Sequence, residues 1–475
     1  VAARENVRTT PHVVVAGAGL AGLCSAVWLS EQGYRATLLE RRGRLGGRTV
    51  SFAVAGVEGL VDNGQHLFAG CYDALLRYVD TIGTRHLLHW DEPPFAIRTG
   101  PEELLTVRGP NWMPEILRRT VGLSWMMWPP IPVTDRFAAA RAWLSIIRAV
   151  RKPAADLDTM TVDDWFHRIG APRSLRELVL DQLVIGLLNE KPERVSAYMF
   201  ARTLHFIGAR ALAGNARAGD AAWPTASLHE LFVEPAERFL LTHGGRIHTR
   251  TGLDNVRIRN GKLTGIGCTD GRVIDCDAAV LALPPWALSA VLDRSELGRY
   301  EFFDSVHEIE AAPISSVYVW LDRPLRMRRP AENLRDTTIE WVFHTSGMRQ
   351  GDIRSGHCYS LAVSASWDVV HRPNAEFVAA ALESLHKHYP ESRNAEVLRT
   401  HVIHQPQATF SARPGFESLR LDQTTPIAGL FLAGDWTRTE LPSTMEAAAE
   451  SAVRATTAVT GYLDRVGTGA GSTAA

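Results

Sequence analysis

Residues 12–33, HVVVAGAGLAGLCSAVWLSEQG, constrain the fold of this chain more than any other stretch. HVVVAG (12–17) is an unbroken apolar run ending in glycine, the pattern of a parallel strand buried on both faces. LCSAVWLSEQG (23–33) then carries helical spacing up to Gly33, and YRATLLE (34–40) reads as a second strand. Between strand and helix, GAGLAG supplies GxGxxG. Gly17 permits the tight turn, Gly19 lets backbone approach a pyrophosphate, and Gly22 lets helix and strand pack closely. Leu20 and Ala21 open the helix, where unpaired N–H groups face a phosphate. Glu40 ends the second strand 18 residues after Gly22, where an acceptor for a ribose hydroxyl belongs. A bland glycine turn is the rival reading; the strand–helix–strand context favours a dinucleotide.

Two further stretches extend that reading. RRGRLGGRT (41–49) follows Glu40 and sets Arg41, Arg42, Arg44 and Arg48 around the pair Gly46–Gly47, near the phosphates. Far away in sequence, LFLAGDWTRTELPSTMEAA (430–448) ends a buried strand at Gly434–Asp435, where a carboxylate can accept from a ribityl hydroxyl. A helix starting near Ser443–Glu446 would turn its positive end towards an electron-rich cofactor edge, with Ser443 as a cap. LVDNGQHLFAG (60–70) adds a polar cluster, Asp62, Asn63, Gln65 and His66, to a run that otherwise reads as buried. Such groups need partners or chemistry.

The rest of the chain reads as an α/β protein with room for two or three domains in 475 residues. Helical patterns fall near 71–83, 137–150, 174–188 and 195–212, followed by a Gly/Ala-rich connection (213–222) and a helix near 228–243. Residues 244–285 hold short strands with NG and DG turns, and strands at 314–322, 338–344 and 357–364 form a second sheet. A strand (428–434) and a helix (442–461) close the fold; the tail after 461 reads as disordered. The net charge of −1 gives no reason to expect nucleic acid. The five cysteines form no CxxC pair, so no metal site or disulfide framework is expected, and a reducing compartment is. No signal peptide is read at the start. No run approaches the roughly 20 apolar residues of a spanning helix; the nearest, 120–134, is broken by prolines.

Together these pieces resemble the flavin-dependent amine oxidase and phytoene desaturase superfamily, from residue 12 to about 460. The resemblance implies a split FAD-binding domain of Rossmann type (glutathione reductase type), with a mixed-sheet substrate domain and a helical subdomain. Its parts would be 12–70, 223–293 and 427–461, with the substrate and helical region at 71–222, further sheet and helix at 294–426, and the tail at 462–475. Carried over, Gly17, Gly19, Gly22, Glu40, Arg42, Gly47 and Arg48 match AMP and pyrophosphate positions. Leu253 matches an adenine backbone contact, Asp435 the ribityl site, and Met445 N–H the flavin O2 contact. Asn63, Gly64 and Gln65 belong to a segment that passes the isoalloxazine ring.

The amine-oxidase branch fits poorly. Its flavin-linked lysine falls on Val319 and one position of its aromatic cage on Thr444. With no cysteine after Cys358, the FAD is expected to be non-covalent. Segments 62–75, 222–240, 281–292 and 431–451 instead resemble the hydroxysqualene dehydroxylases of hopanoid biosynthesis, with Trp286 in LPPWAL read as core. That resemblance implies loss of an allylic hydroxyl and hydride delivery from reduced flavin, giving squalene. His66 would be the general acid and Asp62 would orient it or support the flavin; an even alternative has both merely satisfying hydrogen bonds. A carotenoid or phytoene desaturase-type oxidoreductase is the second reading, and a non-catalytic polyisoprenoid binder the third. The expected partner is a long-chain isoprenoid, with cytoplasmic placement at the inner membrane face. NWMPEIL (111–117) and LSWMMWPPIP (123–132) would line a tunnel or dip into the bilayer. Electron donor and oligomeric state are not readable.

Overall fold

A computed structural model describes residues 10–91, 96–106, 131–215, 217–218, 220–349 and 354–469. Five parallel strands form its first sheet, in the order Arg246–His248, Arg35–Leu39, His12–Ala16, Ala278–Leu281, Leu430–Leu432. The central run HVVVA is apolar throughout because both faces of this sheet are covered. Val13 and Val15 pack into one core with helices Leu20–Glu31, Asp73–Thr81 and Met445–Gly469. Val14 and Ala16 pack into another, shared with the antiparallel meander Leu253–Arg259, Lys262–Cys268, Val273–Asp275. The last helix presents Ala448, Ala449, Ala452 and Ala455 to this core, small residues that let it lie close against Leu20–Glu31.

The second sheet has seven strands, in the order Val397–Phe410, Ala311–Leu321, His357–Val363, Trp341–Phe343, Ala331–Leu334, Ala96–Arg98, Leu104–Thr106. All its pairings are antiparallel except Ala331–Leu334 with Ala96–Arg98. Helices Val133–Arg151, Asp181–Leu188 and Ala197–Leu212 make up a helical region. The architecture is thus mixed α/β, a parallel sheet joined to a substrate-binding subdomain.

Local differences from the sequence reading have physical causes. The expected helix over 174–188 is a short turn, a π-helical turn at Arg176–Leu180 and the helix Asp181–Leu188. The one near 228–243 is likewise split, with Pro235 starting the regular part, where a missing N–H costs nothing. The strand Val397–Phe410 went unmarked because Pro406 and two histidines interrupt its apolar pattern. It is an edge strand, which tolerates a proline. The polar connection ends in the strand Ala221–Pro224, paired with Phe68–Ala69 and Leu88–Asp91. The last helix runs on to Gly469, past the boundary at 461 that began the expected tail. Residues 470–475, NWMPEIL and nearly all of LSWMMWPPIP lie outside the described residues. Among the described residues, no helix is long and apolar enough to cross a membrane.

Candidate functional site

One cavity of about 2160 Å³ runs from the glycine turn to the helical region. Ordinary ligand sites occupy ~300–1,000 Å³, so a dinucleotide leaves room for a second large molecule.

At one end, the three motif glycines separate by what surrounds them. A Cβ on Gly22 would lie 1.8 Å from the Gly17 carbonyl oxygen, and one on Gly17 (φ +103°) 2.5 Å from that of Ala282. These two are fixed by packing, and Gly22 does not line the cavity. A Cβ on Gly19 would meet nothing within 4 Å, so its missing side chain leaves open space on the cavity wall. Gly19 also starts helix Leu20–Glu31 without a side-chain cap, leaving the first-turn N–H groups for a ligand. The pair Gly46–Gly47 lines the cavity and also packs onto the glycine turn. Gly46 N–H donates to Ala18 O at 2.8 Å, and a Cβ on Gly47 (φ +56°) would stand 2.9 Å from Gly19 Cα. The basic loop is thereby pressed onto the glycine turn. Glu40 accepts from Ala18 N–H (3.1 Å) and Arg42 N–H (2.7 Å), and lines the cavity with Arg41, Arg42 and Leu253.

The returning segment is tied to the first by an ion pair between half-buried Arg48 and buried Asp435. Arg48 donates to both carboxylate oxygens of Asp435, at 3.0 and 2.5 Å, and Ser443 Oγ donates to the same group. Burial pushes the Asp435 pKa up, but the Arg48 charge and these hydrogen bonds outweigh it and hold it below the usual carboxylate value. Arg48 therefore answers Asp435 directly, which the motif reading missed. Thr444, not Ser443, caps the helix: its Oγ1 accepts from Ala447 N–H at 3.1 Å. Gly434, Thr444 and Met445 line the cavity, as does Glu446. Burial raises the Glu446 pKa to about 7, although its oxygens accept from Leu75 N–H and Ala74 N–H at the start of helix Asp73–Thr81. This donor set, with first-turn amides at one place and carboxylates at Glu40 and Asp435, fits FAD.

The segment opened by Asp62 divides in two. Asp62 is buried and does not line the cavity; it accepts from Ser51 Oγ (2.6 Å) and Leu228 N–H (3.0 Å) and pairs with Arg349. It makes no hydrogen bond to His66, so the expectation that it orients that ring is corrected: Asp62 anchors the strand Leu60–Asp62. Asn63, Gly64, Gln65 and His66 do line the cavity. Gln65 donates to Tyr318 Oη at 3.1 Å, and that hydroxyl donates to Asp62 O at 2.8 Å. His66 Nδ1 lies 2.9 Å from Gly64 O. A carbonyl only accepts, so Nδ1 carries the proton and Nε2 is the free acceptor. Burial pushes the His66 pKa below its ordinary value, against the opposing pull of Gly64 O and Asp62. Burial thus favours the neutral ring, the form that accepts a proton at Nε2.

The substrate end is a sheet floor under a helical wall. A straight row crosses six strands, Ile403, Ser316, Ala362, Trp341, Asn333 and Ile97, and every member lines the cavity. At ~4.8 Å per strand its length is about 24 Å. Trp143, Leu183, Leu187, Leu204 and Ile207 come from the helices. Strand alternation also corrects the lysine comparison. Val319 packs with Val317 and Leu321 into a core away from the cavity, whereas Ile314 and Ser316 face it. A one-residue slip in register flips a side chain to the other face. Among the described residues lining the cavity, none is a lysine. Trp286, expected in the core, lines the cavity with Arg48 5.9 Å from its ring centroid. Its place after the carboxyl end of strand Ala278–Leu281 was the available signal.

Residues 20–460 match the family model described as flavin containing amine oxidoreductase. The chain is 23% identical to 15-cis-phytoene desaturase of Glycine max over 454 residues, covering 92% of this chain and 77% of that protein. It is 23% identical to zeta-carotene desaturase of Synechocystis, covering 94% of this chain and 97% of that one. Among solved structures, cyclohexylamine oxidase from Brevibacterium oxydans superposes with a TM-score of 0.72 at 17% identity, over 96% of this chain and all of that one. An oxidoreductase from Methanosarcina mazei gives 0.70 at 18% identity, over 93% and 99%. At such identities the structures speak for the fold alone.

Proposed function

Because the chain belongs to the flavin containing amine oxidoreductase family, and is thus an FAD-binding oxidoreductase, we propose that it acts on a long-chain isoprenoid in the manner of the carotenoid and phytoene desaturases. The observation that carries this reading is the apolar cavity continuing well past the dinucleotide end, floored by a row about 24 Å long. The named desaturase relatives support it. The absence of a lysine among the described cavity-lining residues weighs against an amine substrate. FAD, when bound, would supply the hydride acceptor, held without a covalent bond under this reading. Glu40 and the first-turn amides of helix Leu20–Glu31 would hold its AMP half, and Asp435, fixed by Arg48, would take the ribityl chain. His66 Nε2 receives the proton that dehydrogenation releases from the neighbouring carbon. The apolar wall keeps water from the reacting carbons.

A second reading is reductive dehydroxylation of hydroxysqualene. It is favoured by the four segments at 62–75, 222–240, 281–292 and 431–451, and by Glu446, a buried cavity-lining carboxyl raised to about 7 and able to give a proton near neutrality. Anaerobic incubation separates the two. The oxidised enzyme with phytoene should gain the absorbance of new conjugated double bonds. The reduced enzyme with hydroxysqualene yields squalene only under the second reading. If neither isoprenoid is converted while a primary amine is oxidised, both readings fall.

A further inference from the structure

Helix Val133–Arg151 carries a feature that the proposed reaction does not use. Of nine large apolar residues exposed among the described residues, four sit on this one helix: Val133 (76%), Phe137 (82%), Leu144 (53%) and Ile147 (37%). The other five are scattered over four other parts of the chain, as isolated exposed apolar residues ordinarily are. The four fall on one face, spaced four, seven and three residues apart, with Ala140 filling the gap. Leu144 and Ile147 belong both to this exposed face and to the cavity wall. The stripe therefore runs onto the rim of the cavity. Exposed Arg141, Arg148, Arg151 and Lys152 flank it and make no ion pair with any described residue, while Asp135, the one acid on the helix, is bound to Ser174 Oγ. An apolar stripe bordered by unpaired cations is the composition of a helix that lies in the headgroup layer of an anionic membrane.

We propose that helix Val133–Arg151 docks the protein on an anionic lipid surface, with Val133 and Phe137 inserted and the Leu144–Ile147 rim opened to the acyl layer. An isoprenoid dissolved in the bilayer then passes from acyl chains to cavity wall without crossing water. The inference rests on the isoprenoid reading, and names the surface from which such a substrate arrives. The helix begins just after the tryptophan-rich segments that the sequence alone put forward, nearly all of which lie outside the described residues.

The test is co-sedimentation of the FAD-loaded protein with vesicles of phosphatidylcholine alone or mixed with phosphatidylglycerol. Binding should favour the mixed vesicles and weaken as salt is raised. Phe137→Glu should weaken it about tenfold or more. Arg141→Gln and Arg148→Gln should each weaken it roughly fivefold, on the mixed vesicles only. Neither residue lines the cavity, so turnover of detergent-dispersed substrate should be unchanged in all three variants. Wild-type protein that stays in the supernatant overturns the proposal. So does a Phe137→Glu variant that binds vesicles normally but melts lower, or that passes from dimer to monomer, since the stripe is then covered by protein. Vesicle binding without isoprenoid turnover would sink the functional reading and leave the docking surface standing; turnover without vesicle binding would do the reverse.

Discussion

The two ends of the cavity are built on opposite principles. The dinucleotide end is made of backbone and of a few charged groups tied to one another: Gly22 against Gly17, Gly47 against Gly19, Arg48 on Asp435. The substrate end is made of side chains that touch a shape, a row of six sheet residues under apolar helices. Backbone contacts and buried ion pairs have few substitutes, whereas apolar volume can be supplied by many residues. One end should therefore break at single atoms and the other yield by degrees.

The largest effect should come from Gly22→Val, which drives a side chain into a carbonyl 1.8 Å from the Cβ position; the expected result is no folded, flavin-binding protein, read from yield and flavin absorbance. Next, Arg48→Leu leaves the Asp435 carboxylate buried and unpaired, and should cost about 3–5 kcal/mol in denaturant unfolding. A loss within error would mean the two ends do not differ as described. His66→Gln stands where the ends meet. It should lower turnover about a hundredfold with flavin content and melting point unchanged; a variant with full turnover removes His66 from the chemistry. Glu446 sharpens the contrast through pH. Its folded pKa is raised, so its contribution is complete below about 4.5 and is lost as pH rises through about 7. Apoprotein stability should fall by about 1–3 kcal/mol across that window, and Glu446→Gln should flatten the slope. The smallest effect belongs to the substrate floor, where Ile403→Ala should raise the KM for isoprenoid by no more than about tenfold, with flavin content intact.

The same asymmetry explains what could be read from the sequence. The GAGLAG turn, Glu40 and Gly434–Asp435 were legible because each role is dictated by one residue type at a fixed spacing. Gln65, His66, Thr444 and Met445 were also found, and all line the cavity. The misreadings concern matters settled by long-range contact. Asp62 looks like a reactive carboxyl until Arg349, 287 residues away, is brought to it. Val319 and Ser316 cannot be told apart until the register with Ala362 and Ile403 decides which face of the strand meets the cavity. Trp341 carries no local mark separating a cavity wall from a core, and the mark on Trp286 is only its place after a parallel strand. The stripe on helix Val133–Arg151 was visible only as a helical pattern, because solvent exposure depends on what the remaining chain leaves uncovered.

The pairing of Arg48 with Asp435 also has a consequence for the making of the protein. The glycine turn is translated roughly 400 residues ahead of its counterpart strand Leu430–Leu432 and helix Met445–Gly469. At ~5–20 residues per second, roughly 20–80 seconds separate the two. For the later part of that interval, once Ala278–Leu281 is made, the edge of this strand that Leu430–Leu432 later covers has no partner in the sheet. A nascent chain in this state cannot be rescued by its cofactor, since half of the binding site does not yet exist. A chain cut short before residue 430 therefore leaves that sheet edge open to pairing with another chain.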